Sequence, residues 1–257
     1  MMSLAIAGLV MSGTAMSAQA PSDNMQQKAQ IENIVHDYIL KNPDVLVQAL
    51  QSFQQKQMEK ARDTIAQTEK KSPQYVDALF HQTADPVMGN PNGKMTVVEF
   101  FDYQCPHCVD MSEAIDNLVA ANPNIRIVLK EFPIRGPVSV FASKAALAAA
   151  KQGKYAEFHK ALMHPKHQPL TDASILELAQ SVSLNITQLK TDMNSPAIEQ
   201  QIKDTYKLAQ DLQLIGTPAF FVGKTALVGK NAKASEIAFI PGQVDQAQLE
   251  EVVKKVS

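Results

Sequence analysis

Cys105 and Cys108 are the two cysteines of a 257-residue chain, separated by Pro106-His107. The run before them, Met95 to Phe101, is rich in β-branched and aromatic residues and reads as a buried strand. The residues after them, Met111, Ile115, Leu118 and Val119, recur with helical spacing. Cys105 therefore falls at a helix N-terminus. Unpaired backbone N–H groups and the positive end of the helix dipole favour an anion there, and so favour the thiolate. Pro106 suits the first turn, where its missing N–H costs nothing. His107 adds a second donor beside the sulfur. A thiolate of low pKa leaves readily, which makes its disulfide oxidising. Cys108, one turn further in, is placed to attack a mixed disulfide at Cys105 and release the product. The chemistry expected is thiol–disulfide exchange.

Other uses of the pair fit less well. A structural zinc needs a second pair of ligands, and the sequence has no second Cys-x-x-Cys. Haem attachment needs a histidine directly after the second cysteine, where Val109 stands. A purely structural disulfide fits the spacing, although closing so short a loop adds little stability. Neither a metal nor a cofactor is expected. His159, His164 and His167 cluster, but Pro165 interrupts ligand geometry, and a solvated helix end is the simpler reading. Gly216-Thr217-Pro218 leads into the apolar run Ala219 to Val222. A cis Thr217–Pro218 bond there would leave backbone groups free to pair with an extended substrate. The turn pair Gly223-Lys224 and the segment Thr225 to Val228 complete what reads as a β-hairpin.

These residues need a scaffold. After the strand and helix around the cysteines come a β-rich run, Ile125 to Leu129, and a helical block from Ser143 to about Leu214. The hairpin follows, and then a helix opened by the capping box Asp245–Gln248. Upstream, Pro21 to about Thr83 is helical in pattern. Ile31, Ile34, Val35, Tyr38 and Ile39 fall on one helix face. A second helix starts at Asn42-Pro43-Asp44 and carries Leu46, Ala49, Leu50, Phe53, Met58, Ala61 and Ile65. Two such helices cannot bury their stripes alone, so they must pack on the rest of the chain or on a second copy. Apolar residues make up 45% of the chain and charged ones 19%, which gives a core rather than disorder. A net charge of −2 gives no pull toward nucleic acid. The first twenty residues, with an apolar run Leu4 to Val10 and the pattern Ala18-Gln19-Ala20, read as a signal peptide cleaved after Ala20. The first basic residue, Lys28, lies beyond that run, so the usual basic lead is missing. An exported chain with one cysteine pair belongs where disulfides persist.

The stretch Val98-Glu99-Phe100-Phe101-Asp102-Tyr103-Gln104-Cys105-Pro106-His107-Cys108, with Gly216-Thr217-Pro218-Ala219-Phe220-Phe221-Val222, resembles the DsbA-like thioredoxin-fold thiol–disulfide oxidoreductases. The resemblance covers about Ala84 to the C-terminus. It implies an α/β thioredoxin fold (residues 84–257) with a helical insertion at about 137–214 and an N-terminal helical extension (residues 21–83). It also implies roles for single residues. Cys105 would be the nucleophile, Cys108 the resolving thiol and His107 the thiolate stabiliser, while Glu99 matches a buried acid that carries protons. Thr217 and Pro218 would bind substrate, Pro218 as the cis-proline. Thr before that proline is more like isomerases of the DsbC type. The helical extension is similar to those of larger DsbA-like proteins that assemble through their N-termini and act as isomerases. The expectation is a periplasmic or otherwise exported homodimer that oxidises and isomerises disulfides in exported proteins, served by a DsbB-like oxidase or a DsbD-like reductase in the membrane. The alternative is a non-enzymatic, client-holding chaperone on the same fold.

Overall fold

The structure, a computed structural model, describes residues 21–229 and 231–257. The expected signal peptide lies outside them. The chain divides into two compact units after Glu59. The first unit holds helix α1 (Pro21–Lys41) and the first part of α2 (Asp44–Lys71). Asn42 caps the end of α1, its side-chain amide donating to the Tyr38 carbonyl at 2.8 Å. Between Met25 and Glu59 every side chain except Ile39 is exposed, the apolar stripes included. Ile34 is 68% exposed and Phe53 58%, values a lone helix in water does not favour.

The second unit is built on a five-stranded sheet. Its strands are β1 (Val87–Gly89), β2 (Met95–Phe101), β3 (Ile125–Glu131), β4 (Ala219–Lys224) and β5 (Ile237–Pro241), in the order β1-β3-β2-β4-β5. β2 and β3 run parallel and the other pairs antiparallel. The parallel pair needs a crossover, and α4 (Pro106–Ala121) supplies it. β2, rich in Val and Phe, is buried on both faces because it lies at the centre. Its alternation divides the core. Val97 and Phe101 face α4 and its neighbours Met111, Ile115 and Leu118, while Val98 and Phe100 face a second cluster with Val128, Phe221 and Phe239. Between β3 and β4 lie α5 (Pro137–Ala150), α6 (Tyr155–Met163), α7 (Asp172–Ser181), α8 (Ile186–Met193) and α9 (Pro196–Asp211). The chain closes with α10 (Gln246–Val256), started by the reciprocal Asp245–Gln248 capping box.

The N-terminal region is helical to Phe80, close to the expected end near Thr83, but the second compact unit already begins at Lys60. The reason is burial. Thr68, Ser72 and, on α3 (Val76–Phe80), Val76, Leu79 and Phe80 have no exposed surface, and the three apolar ones belong to the cluster around Phe100 and Phe221. Thr68 Oγ1 donates to the Leu212 carbonyl at 3.2 Å, and Glu69 Oε1 accepts from Phe239 N at 3.2 Å. The hairpin also differs. Thr225 to Val228 is a turn, not a strand, and β4 pairs instead with β5. Gly223 sits inside β4, where a side chain would come within 2.9 Å of Leu227 Cδ1. Leu227 folds back over the sheet, 8% exposed, and so ends the strand.

Candidate active site

Cys105 is the N-cap of α4, in extended conformation, with Pro106 at the first helical position. Its own N–H donates to the Asp102 carbonyl at 3.0 Å, and its carbonyl accepts from Cys108 N and Val109 N at 3.0 and 3.1 Å. The thiol points across to the loop ahead of β4, where it donates to the Thr217 carbonyl at 3.2 Å. The Thr217–Pro218 peptide bond is cis. Both thiols are free. The Cys105 thiol is lowered to about 5, first by the Cys108 thiol, then by Thr217 and by the backbone N–H groups of Cys108 and His107, against burial. Cys108 moves the other way, because burial and the neighbouring Cys105 and Glu99 all resist its ionisation. The two sulfurs are thus set apart chemically: one is an anion near neutral pH and the other a thiol.

The structure brings Cys105, Pro106, His107, Cys108, Thr217 and Pro218 to one place, with Glu99 beneath them. Pro106 and His107 are exposed, and the cysteines are buried. The His107 imidazole does not turn to the sulfur. Its Nδ1 lies 2.7 Å from Gln243 Oε1, in the loop between β5 and α10, and it is the His107 backbone N–H that reaches Cys105. Glu99 points to the face of β2 shared by Val97 and Phe101, and Glu99 and Cys108 line one cavity of about 640 Å³ beside α4 and α6. Glu99 is 1% exposed and its Oε1 has no hydrogen-bond partner. Burial first, then Cys105 and Glu131, raise its carboxyl to about 8.

The DSBA-like thioredoxin domain matches residues 96–254. The chain belongs to the DsbA-like thioredoxin family. The N-terminal domain of the copper resistance protein ScsC matches residues 27–60. Among solved structures, a thioredoxin-like oxidoreductase from Silicibacter pomeroyi is 41% identical, with 70% of this chain and 95% of that one covered and a TM-score of 0.60. BcfH of Salmonella enterica Typhimurium is 30% identical over 92% of this chain and 99% of its own, at a TM-score of 0.66. A periplasmic thioredoxin-like protein of the same Salmonella serovar is 28% identical, covering 70% and 94%, at 0.58. Among curated relatives, a Na(+)/H(+) antiporter of Salinispora tropica is 29% identical over 140 residues, 54% of this chain. The match covers only 21% of that protein's length. No described helix of this chain is long and apolar enough to cross a membrane.

The DsbA-like site also draws on residues that the sequence did not single out. Asp102 is buried and fixes the turn before Cys105. Its carboxylate accepts from Gln104 N at 2.8 Å, Arg135 N at 2.8 Å and Ser139 Oγ at 2.7 Å, and so ties that turn to the start of α5. Gln168 Nε2 donates to the Tyr103 carbonyl at 3.0 Å. His159 is a correction: it is 6% exposed, inside the fold, with Nδ1 at 3.0 Å from the Tyr103 hydroxyl. Helical periodicity had the signal, since His159 follows Tyr155 and Phe158 on the inward stripe of α6. His164 and His167 are exposed, as expected.

Proposed function

We propose that this chain forms and isomerises disulfide bonds in exported proteins through Cys105 and Cys108. One observation carries the reading: a nucleophile at a helix N-terminus, its thiol lowered to about 5, aimed at the carbonyl beside Pro218. In the oxidised protein a client thiolate attacks Cys105 Sγ, the Cys105–Cys108 bond breaks and Cys108 leaves with the electron pair. A second client thiolate then attacks the client sulfur of the mixed disulfide and releases Cys105 as a thiolate. Two electrons pass from the client dithiol to the protein. Run backwards, Cys108 attacks the mixed disulfide and gives its proton to Glu99, the buried carboxyl that lines the same cavity. Thr217 and Pro218 offer backbone groups to the client, and the backbone N–H of His107 assists the thiolate.

Isomerisation requires that one client be held through repeated attack. The exposed stripes of α1 and early α2 support assembly with a second copy, and a homodimer satisfies them with one symmetric interface. One similar protein, from Salmonella enterica serovar Typhimurium, is periplasmic, and the apolar run with its Ala18-Gln19-Ala20 pattern favours export to the same compartment. A DsbB-like oxidase or a DsbD-like reductase would then reset the cysteines. Insulin reduction and refolding of scrambled ribonuclease test the enzyme. Cys105→Ala should abolish both, and unchanged activity in that variant would leave the client-holding chaperone as the better reading.

A further inference from the structure

Glu131 ends β3, is 2% exposed and has no part in the exchange described above. Its Oε1 accepts hydrogen bonds from the hydroxyls of Tyr103, at 3.0 Å, and Tyr155, at 2.7 Å, while Oε2 has no partner. The Tyr103 hydroxyl also meets His159 Nδ1. The His159 ring stacks on Tyr155 at 5.6 Å between centroids and meets Phe101 edge-on at 5.1 Å. Three parts of the fold therefore converge on one carboxyl: the turn that leads into Cys105, helix α6 and the end of β3. The strand register adds a fourth. Glu99 pairs with Leu129 and Phe101 with Glu131, so Glu99 and Glu131 share a sheet face, two positions apart on adjacent strands. Each is almost wholly buried and each has an oxygen without a partner.

Two carboxyl groups buried so near each other cannot ionise independently. We propose that Glu131 is a positioning residue for thiol–disulfide exchange, holding the Cys105 turn through Tyr103 and setting, through its charge, the proton occupancy of Glu99. The proposal rests on the reading of Glu99 as the proton acceptor of Cys108. Burial raises Glu131 to about 8, against its hydrogen bonds, so both acids change charge in one pH range. The groups that face Glu131 are Asp102 and Tyr103 from the turn, Glu99 from β2, Ser143 from α5, and Tyr155 and His159 from α6. None supplies a positive charge, because burial, helped by Lys160, holds His159 neutral, down to about 3. Among the described residues, the ionisable groups facing Glu131 other than His159 are acids. A charge on Glu131 therefore opposes a charge on Glu99, and the pair loses its protons in two macroscopic steps.

Glu131→Gln keeps an acceptor for both tyrosines and removes the charge. The rate at which reduced protein reduces a peptide disulfide, followed from about pH 5 to pH 10, reads the effect. Glu99 then ionises more easily, so the limb that reports it moves down by about half a pH unit, roughly a threefold faster rate below the midpoint. Glu99→Gln should remove that limb, and adding Glu131→Gln to it should change nothing more. Carboxyl-carbon NMR of the unmutated, glutamate-labelled reduced protein gives a second reading that needs no variant: the Glu99 signal should titrate in two steps. Superimposed rate profiles of Glu131→Gln and the parent, with the limb lost in Glu99→Gln, overturn this proposal alone. A Glu99→Gln profile equal to the parent's overturns the reading of Glu99 and this proposal with it. A single-step Glu99 titration in the parent also overturns it.

Discussion

At the scale of single residues the molecule separates two chemically identical thiols by where each lies on one helix turn. Cys105 at the N-cap meets N–H groups and a neighbouring thiol, and Cys108 meets burial and two groups that carry negative charge when ionised. Titration of thiolate absorbance at roughly 240 nm in the reduced protein should show a midpoint near pH 5. The sign follows from linkage. The thiol is depressed in the folded state, so ionisation stabilises the reduced fold above the unfolded thiol's ordinary pKa, and that gain is lost as pH falls through about 5. Relative to an ordinary dithiol, the disulfide should accordingly become less oxidising as the pH is lowered toward that value. His107→Ala should raise the midpoint by about one unit or less, because the backbone N–H of residue 107 stays while the imidazole and its bond to Gln243 go. A midpoint like that of free cysteine in the parent would reject the account. The cysteines and Pro218 were legible because their chemistry is written in adjacent letters. Glu131, Tyr103 and His159 were not, because they meet only when β3, the turn and α6 fold together, and no local pattern records that meeting.

At the scale of elements, periodicity found the strand before Cys105, the helix after it and the capping box at Asp245. It failed where pairing is non-local. The partner of β4 is not the next apolar run but β5, after a turn that Leu227 pins to the core. It also failed at the end of α2. The helical pattern is continuous from the exposed part of α2 to the buried part, so composition alone marks no border. Burial does mark one, and it yields a stability test. Leu79→Ala or Phe80→Ala should destabilise the second unit by about 3–5 kcal/mol, measured by urea unfolding of a chain that starts at Lys60. Both residues have no exposed surface and pack with Val98, Phe100 and Phe221. A chain that starts after Thr83 loses that packing and should be mostly insoluble or unfolded, whereas a chain from Lys60 should melt cooperatively. If α3 were only a linker, both substitutions would cost less than about 1 kcal/mol.

At the scale of the whole molecule, a catalytic unit with its own core is joined to a stretch whose apolar residues stay in water. From Ile31 to Met58 lie Ile34, Val35, Tyr38, Leu46, Leu50 and Phe53, all exposed. So continuous an apolar stripe is costly to leave hydrated, and a second copy of the same stripe can cover it under two-fold symmetry. An assembly that brings two Cys105 thiolates to one client raises the local concentration of the attacking thiol, and that is the property isomerisation needs and simple oxidation does not. Removal of residues up to Glu59 should therefore separate the two activities. The chain from Lys60 keeps every residue of the active site, so it should be a monomer by light scattering and oxidise a model dithiol peptide at close to the full-length rate. Its refolding of scrambled ribonuclease should fall several-fold. Leu50→Glu and Phe53→Glu in the full-length chain should mimic the truncation without shortening it, since a charge on the stripe opposes burial against its copy. Full isomerase activity in a chain shown to be monomeric would break the link between assembly and isomerisation, and a full-length monomer would leave the exposed stripes to a different partner.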